Sequence, residues 1–257
     1  MNENLTMEVD EISLLPENNF SPSQLRDKLH DPFYLPMHAD IERAFSNDEW
    51  KSFCFNYENP IFEVLSEEFL DSFSEYLIQR TENHAASEDS PITILEVGAG
   101  NGRLSHFLRQ KLEVRSPGKF NVVATDSGEW GLKKPCPVEI IGHCEALKKY
   151  KPQIVICSWM PYCKDLTKDF RDTESVSEYI LIGETDGGCC GDAWLTWGFS
   201  FSFDVSSGTE ENTPPYIADG FERKDLKDIG QHQICRSDRL GDYLHSATIS
   251  FKRITNF

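Results

Sequence analysis

A strand-like run that leads directly into a glycine-rich turn constrains this chain more than any other feature. Residues 92–97 read ITILEV, a β-branched and almost continuously apolar run that is typical of a parallel strand buried on both faces. Apolar side chains at three- and four-residue spacing over residues 104–112 then predict a helix. Three glycines separate the two elements at every second position: Gly98, Gly100 and Gly102. Because glycine lacks a Cβ and a helix start offers unpaired N–H groups, this pattern predicts a nucleotide-binding turn.

The spacing of the glycines indicates which class of nucleotide cofactor the turn could bind. The dinucleotide fingerprint GxGxxG needs a small residue where this chain has Arg103, which disfavours an NAD-dependent oxidoreductase. A phosphate-binding GxxxxGK loop does not occur in the sequence. The pattern that does occur, Glu96 followed by GxGxG, resembles motif I of the class I (Rossmann-fold) S-adenosylmethionine-dependent methyltransferases. An ordinary strand-to-helix turn without a ligand is the alternative.

The resemblance implies S-adenosylmethionine as the cofactor and extends from the first strand towards the C-terminus. In that family, an acid at the end of the second strand takes the ribose hydroxyls of the cofactor. Here a β-type run over residues 120–125 is followed by Asp126, and a carboxylate accepts from two neighbouring hydroxyls at once. A solvated turn acid is the alternative role for Asp126. The cofactor-binding residues implied by these two motifs are Glu96, Gly98, Gly100, Gly102 and Asp126.

A third short run, residues 138–141, leads into the letters GHCEAL, which resemble the GDAxxL segment that lies beside the adenine in the family. His143 stands where the family often has aspartate. The resemblance implies that His143 either hydrogen-bonds the adenine or remains an ordinary surface histidine. Cys144 is expected to pack on the adenine edge as a small apolar residue.

The fourth run ends at Ser158 and is followed by WMPY. Many family members that methylate nitrogen carry an Asn-Pro-Pro-Tyr element at this place, and this chain keeps only its second half. The resemblance therefore implies Ser158 at the cofactor and Trp159 and Tyr162 at the acceptor, with nitrogen as one acceptor atom. Packing in the core is the alternative for both aromatic residues.

Acidic residues follow the fifth run, residues 178–184. Ligands of open α/β sheets bind at the carboxyl ends of the strands, so Glu184, Asp186 and Asp192 are candidates for the substrate side, with solvated loop acids as the alternative. Because the sulfonium is already an activated methyl donor, a general base is needed only where the acceptor must lose a proton. The candidates for this base are Glu184, Asp186 and His143, and Tyr162 is a further candidate for a catalytic role.

The N-terminal part of the chain differs in character. Residues 1–19 contain five acids and no base, which predicts a disordered start. Asn59 and Pro60 suit a helix start, and apolar residues then recur every four positions up to Leu77. Helices of this kind often cover the cofactor in the family, so Tyr57 is a candidate wall of the acceptor pocket.

These elements predict a Rossmann-like α/β fold. We expect a mostly parallel seven-stranded sheet with helices on both faces, an antiparallel C-terminal strand and an N-terminal helical extension. The runs HQICRS and SATISFKRI are expected to form the closing antiparallel pair. Residues 1–90 are expected to hold the acidic N-terminus and helical cap, and residues 91–257 the S-adenosylmethionine-binding methyltransferase domain.

Composition limits the partners. The chain has 25 basic and 43 acidic residues and a net charge of −18, which disfavours nucleic acid and anionic membranes. The eight cysteines form no CxxC pair and no zinc-site spacing, so no metal is expected, and a reducing compartment, cytoplasm or nucleus, follows. No apolar stretch reaches the roughly 18 residues of a membrane span. No feature predicts an oligomeric state.

The sequence as a whole indicates a methyltransferase that acts on a small-molecule or peptide acceptor. The rival from another class is a non-catalytic scaffold or partner subunit that keeps the fold, either with or without bound cofactor. The altered GHCEAL and WMPY segments leave that alternative open.

Overall fold

The structure, a computed structural model, describes residues 20–56, 60–82, 91–200, 213–239 and 246–254. The acidic start of the chain, Tyr57 and Asn59 lie outside these ranges. The described residues form a sheet with the strand order β3-β2-β1-β4-β5-β7-β6. Its strands are β1 (Ile92–Val97), β2 (Phe120–Asp126), β3 (Glu139–Ile140), β4 (Ile154–Ser158), β5 (Glu178–Glu184), β6 (Phe221–Asp225) and β7 (Ser246–Arg253).

The sheet is mixed in the way the sequence predicts. Strands β1 to β5 pair in parallel, while β7 runs antiparallel to both β5 and β6. The helices are α1 (Pro22–Leu29), α2 (His38–Ala44), α3 (Asn47–Cys54), α4 (Glu67–Glu82), α5 (Arg103–Arg115), α6 (His143–Tyr150), α7 (Thr167–Asp172), α8 (Pro215–Ala218) and α9 (Lys227–Gly230). None of these described helices has both the length and the apolar character needed to cross a membrane.

Alternate residues of the central strands enter two different cores, because successive side chains of a strand point to opposite faces. Ile94 and Ile180 pack with side chains of α4 and α5. Leu95 and Leu181 pack on the other face with side chains of α6 and α7. Helices therefore cover both faces, and the prediction of a Rossmann-like α/β fold is confirmed.

The amphipathic helix of the N-terminal part begins later than its sequence indicates. Residues 60–66 are not helical, and α4 starts at Glu67 after Ser66, whose hydroxyl accepts a hydrogen bond from Phe69 N at 3.2 Å. The backbone before it pairs with a distant segment instead: Val64 N donates to Ile234 O at 2.8 Å. The expected start at Pro60 is therefore wrong.

The expected partner of the last strand is also wrong. The HQICRS segment, residues 232–237, does not join the sheet, and β6 is the strand beside β7. Ile234 is buried among the side chains of α1 to α3, and the backbone of Cys235 forms an isolated antiparallel β-bridge with that of Glu63. Contacts with the N-terminal helices therefore take this segment away from the sheet.

Two contacts fix the N-terminal helices to the rest of the chain. Trp50 Nε1 donates to Arg236 O at 3.0 Å. The guanidinium of Arg103, the residue directly after the glycine turn, donates to Pro32 O at 2.9 Å and to Tyr34 O at 3.0 Å. The N-terminal helices are thus held beside the carboxyl ends of the central strands.

Candidate functional site

A cavity of about 490 Å³ lies at the carboxyl ends of β1, β2 and β4. The strand order reverses between β1 and β4, and such switch points are where open α/β sheets bind ligands. Residues 60–65 of the N-terminal part form part of its wall. The cavity brings together these residues named from the sequence: Glu96, Gly98, Gly100, Asp126, His143, Ser158 and Trp159.

The glycine turn has a backbone that favours glycine at all three positions. Gly98, Gly100 and Gly102 have φ values of +66°, +56° and +78°. Gly98 and Gly100 line the cavity, whereas Gly102 is the N-cap of α5 and packs against residues 136–138. The absence of a Cβ at Gly98 and Gly100 therefore leaves space for a ligand. At Gly102 it allows the backbone to pack closely against residues 136–138.

This difference predicts unequal effects of alanine at two of the glycines. A Cβ at Gly102 would lie 2.5 Å from Val138 Cγ2, whereas a Cβ at Gly98 meets nothing within 4 Å. Both substitutions strain a left-handed residue by about 1–2 kcal/mol, and Gly102→Ala adds about 1–3 kcal/mol for overpacking. Urea denaturation of the two variants should therefore show the greater loss in Gly102→Ala; equal losses would contradict this account of the turn.

Asp126 ends β2 and faces the turn across the cavity. Its Oδ2 accepts Gly100 N at 3.0 Å, and its Oδ1 accepts Gly128 N at 2.7 Å. A carboxylate has about four acceptor positions, so each oxygen retains a free one. The residue can therefore hold the turn and accept two further hydrogen bonds from a ligand.

Glu96 lies beneath the turn and is only 2% exposed. Its carboxylate accepts hydrogen bonds from Ser105 N at 3.1 Å and Ser105 Oγ at 2.5 Å, which ties β1 to the first turn of α5. Burial raises the pKa of Glu96 to about 7, although the bonds from Ser105 oppose the shift.

The raised pKa of Glu96 predicts a pH dependence of stability. Between its ordinary pKa and about 7, the folded chain holds a proton that the unfolded chain has lost, so the free energy of unfolding falls as pH rises through this window. The slope is at most about 1.4 kcal/mol per pH unit. Denaturation at pH 5 and pH 7.5 should show a smaller fall in Glu96→Gln than in the wild type, and identical slopes would contradict the prediction.

Of the two residues named from the GHCEAL segment, the structure places only His143 in the cavity. His143, the first residue of α6, lines the cavity, and its Nε2 lies 2.8 Å from Asp169 Oδ2. Cys144 is exposed and does not line the cavity, and its Sγ lies 3.4 Å from the same oxygen. The ligand atoms of these three residues all lie within 4.8 Å of one another, a set that could hold a metal ion.

Trp159 directly follows β4 and lines the cavity. Its φ of +57° is unusual for a bulky residue, and its backbone N–H donates a hydrogen bond to Ile182 O at 2.7 Å. The Phe62 ring lies 5.4 Å from the Trp159 ring and 5.8 Å from the Trp130 ring, measured between centroids. Three aromatic side chains therefore form one wall of the cavity.

Glu63 is a cavity residue that sequence reasoning missed. Its Oε2 accepts Trp159 Nε1 at 2.7 Å, and its Oε1 accepts Ser246 Oγ at 3.0 Å. Burial raises the pKa of Glu63 to about 8, with a further contribution from Asp238, while the two hydrogen bonds oppose the shift. The signal in the sequence was a single acid inside the apolar run IFEVL.

Of the residues named for catalysis, His143 lines this cavity, whereas Tyr162, Glu184 and Asp186 do not. Tyr162 is 70% exposed. Glu184 is buried and accepts hydrogen bonds from Cys189 N and Ser237 Oγ. Asp186 forms an ion pair with Arg223 at 2.6 Å. Tyr57, named for the acceptor pocket, lies outside the described residues.

Comparisons with known proteins gave similar structures only. No family model matches the chain, and no curated protein matches it. It is similar to DszA carbon methyltransferase, with 15% identity and a TM-score of 0.42 over 91% of this chain and 65% of that one. It is also similar to magnesium protoporphyrin IX methyltransferase from Synechocystis, with 12% identity and a TM-score of 0.36 over 72% and 78% of the two chains.

The plantazolicin methyltransferase BpumL is a further similar structure, with 11% identity and a TM-score of 0.35 over 90% of this chain and 95% of that one. The chain spans less than two thirds of the length of DszA carbon methyltransferase. All three are named as methyltransferases. This chain has a Rossmann-like α/β fold, which its own strand order establishes.

Proposed function

We propose that this chain binds S-adenosylmethionine in the cavity and transfers its methyl group to a small-molecule or peptide acceptor. One observation carries the proposal: two left-handed glycines of the motif-I-like turn and Asp126 line a single cavity at the switch point of the sheet. In this proposal residues 91–257 bind the cofactor, and residues 60–65 complete the wall on the acceptor side.

The residues present fit this cofactor. At Gly98 there is open space where other residues have a Cβ, and at Gly100 the nearest atom is Leu132 Cδ1 at 3.6 Å, so a ligand can approach the backbone. The wall contains four acids, Glu63, Glu96, Asp126 and Glu129. It also contains the cations Arg103 and Lys164, and the guanidinium of Arg103 is bonded to backbone carbonyls. Acids and aromatic rings suit a ligand that carries a sulfonium and an ammonium group.

The protein's own part in the reaction is positioning. The bound cofactor supplies an activated methyl group on its sulfonium. The turn and Asp126 hold the donor at one end of the cavity, and the aromatic wall holds the acceptor at the other. Such alignment of two reactants contributes about 7–11 kcal/mol to lowering a barrier. Nitrogen is the acceptor atom that the resemblance of the WMPY segment suggests, and of the two retained residues Pro161 lines the cavity whereas Tyr162 does not.

Calorimetric titration with S-adenosylmethionine and S-adenosylhomocysteine tests the proposal. We expect the wild type to bind both and Gly100→Asp to bind neither, because the new carboxylate occupies the space beside the turn. Gly118→Asp is the matched control, since Gly118 has a φ of +70° and open space around it but does not line the cavity. No binding by the wild type would contradict the proposal and favour the non-catalytic scaffold.

A further inference from the structure

The wall of the cavity formed by residues 60–65 is rigidly attached to the protein. Arg236 N donates to Phe62 O at 3.0 Å, and Val64 N donates to Ile234 O at 2.8 Å, so backbone bonds hold the segment on both sides of Glu63. The Trp50 indole in turn holds the Arg236 carbonyl. Glu63 is therefore a fixed part of the site.

The Glu63 carboxylate accepts hydrogen bonds from the Trp159 indole and the Ser246 hydroxyl, and the Gln233 side chain also lowers its pKa. All three groups are neutral, so none of them neutralises the charge of the carboxylate. Among the described residues, the titratable groups that interact with the charge of Glu63 are Asp238 and the buried thiols of Cys54 and Cys235, whose pKa burial raises to about 12. A cation, Arg236, lies beside the same rings: its guanidinium is 4.4 Å from the Phe62 ring centroid and 5.2 Å from that of Trp159.

The three rings beside Glu63 offer flat, electron-rich surfaces. Trp130 is 60% exposed, whereas Phe62 and Trp159 are half-buried. An exposed tryptophan at the mouth of a cavity is available to stack on a planar ligand. Arg236 already stacks on two of these rings, which shows that they accept a planar cation.

We propose that Phe62, Trp130 and Trp159 form the acceptor subsite together with Glu63, and that this subsite selects an aromatic amine-bearing acceptor whose nitrogen gives its proton to Glu63. The inference rests on the proposed function and names its substrate class. The bound ammonium group first gives a proton to a Glu63 oxygen, which frees the nitrogen lone pair. As that lone pair bonds to the methyl carbon, the carbon–sulfur bond breaks with its electrons on sulfur, and Glu63 then passes its proton to solvent. The raised pKa of Glu63 makes it a better proton acceptor near neutral pH than an ordinary carboxylate.

Tryptamine and tryptophol form a suitable pair of probes, because they share an indole and differ in an amine against a hydroxyl. In calorimetry at pH 7, with S-adenosylhomocysteine present, we expect the wild type to bind tryptamine at least tenfold more tightly than tryptophol. Glu63→Gln should abolish this preference. Glu222→Gln, which removes an exposed acid of β6 that does not line the cavity, should keep it.

Proton release separates a direct role of Glu63 from a structural one. Because Glu63 is largely protonated at pH 7 in the empty site, binding of an ammonium group should release close to one proton. Titrations in phosphate and in Tris measure this number, and Glu63→Gln should release none. Equal affinity for the two probes, no detectable binding of tryptamine by the wild type, or an unchanged preference in Glu63→Gln would each overturn the inference.

The cofactor titration keeps this result distinct from the proposed function. Wild-type protein that binds S-adenosylmethionine without preferring tryptamine overturns the subsite alone. Unchanged binding of S-adenosylmethionine by Glu63→Gln would show that the variant is folded. Should that variant not fold, Trp130→Ala decides, because its exposed side chain is free of the core: we expect it to weaken both probes at least fivefold, and unchanged affinity overturns the inference.

Discussion

Asp126→Ala is expected to lower the affinity for S-adenosylmethionine by about 100-fold. In the proposed site the ribose hydroxyls donate two hydrogen bonds to this carboxylate, and their loss costs about 1.5 kcal/mol or more each. A tenfold change in affinity corresponds to about 1.4 kcal/mol. The substitution also leaves Gly100 N and Gly128 N without their acceptor, which loosens the turn. Calorimetric titration of the variant measures the loss.

Asp192→Ala is the matched control for this prediction. The Asp192 carboxylate also accepts two backbone N–H groups, from Trp194 at 2.9 Å and Leu195 at 2.7 Å, but it does not line the cavity. Both variants lose a loop-stabilising acid, and only Asp126→Ala should lose affinity. A loss of less than threefold in Asp126→Ala, or an equal loss in the control, would show that Asp126 does not contact the ligand.

The central strands were predictable because burial on both faces leaves a continuous apolar run in the sequence. The runs at residues 92–97 and 178–184 coincide with β1 and β5. The edge strand β6, with the sequence FERKD, was not recognised, because among its five residues only Phe221 is fully buried. An edge strand that carries four charged residues has no apolar pattern from which it could be detected.

Some residues of the site could be predicted from the neighbouring sequence, whereas others are positioned by contacts with distant parts of the chain. The glycine turn and Asp126 follow strands directly, so local sequence places them at one edge of the sheet. Glu63 could not be placed from sequence, because its position depends on backbone pairing with residues 234–236, about 170 positions away. Glu184 stands at a strand end as expected, but bonds from the chain beyond the fifth strand occupy its carboxylate.

The largest expected effect on stability comes from Arg80→Met. Glu178 is 1% exposed, and its carboxylate accepts hydrogen bonds from Arg80, Tyr76 and Ser250. Arg80 is its only ion-pair partner among the described residues. Removing one member of a buried ion pair leaves an uncompensated charge and costs about 3–5 kcal/mol. Urea denaturation should therefore show a large fall in the free energy of unfolding.

Arg115→Met tests whether burial causes that loss. Arg115 of α5 forms an ion pair at 2.7 Å with Asp71, which like Arg80 lies on α4. Both side chains are about one-third or more exposed, so we expect the free energy of unfolding to fall by about 1 kcal/mol or less. Adding Glu178→Gln to Arg80→Met removes the stranded charge and should recover part of the stability. Equal losses in the two arginine variants would contradict this account.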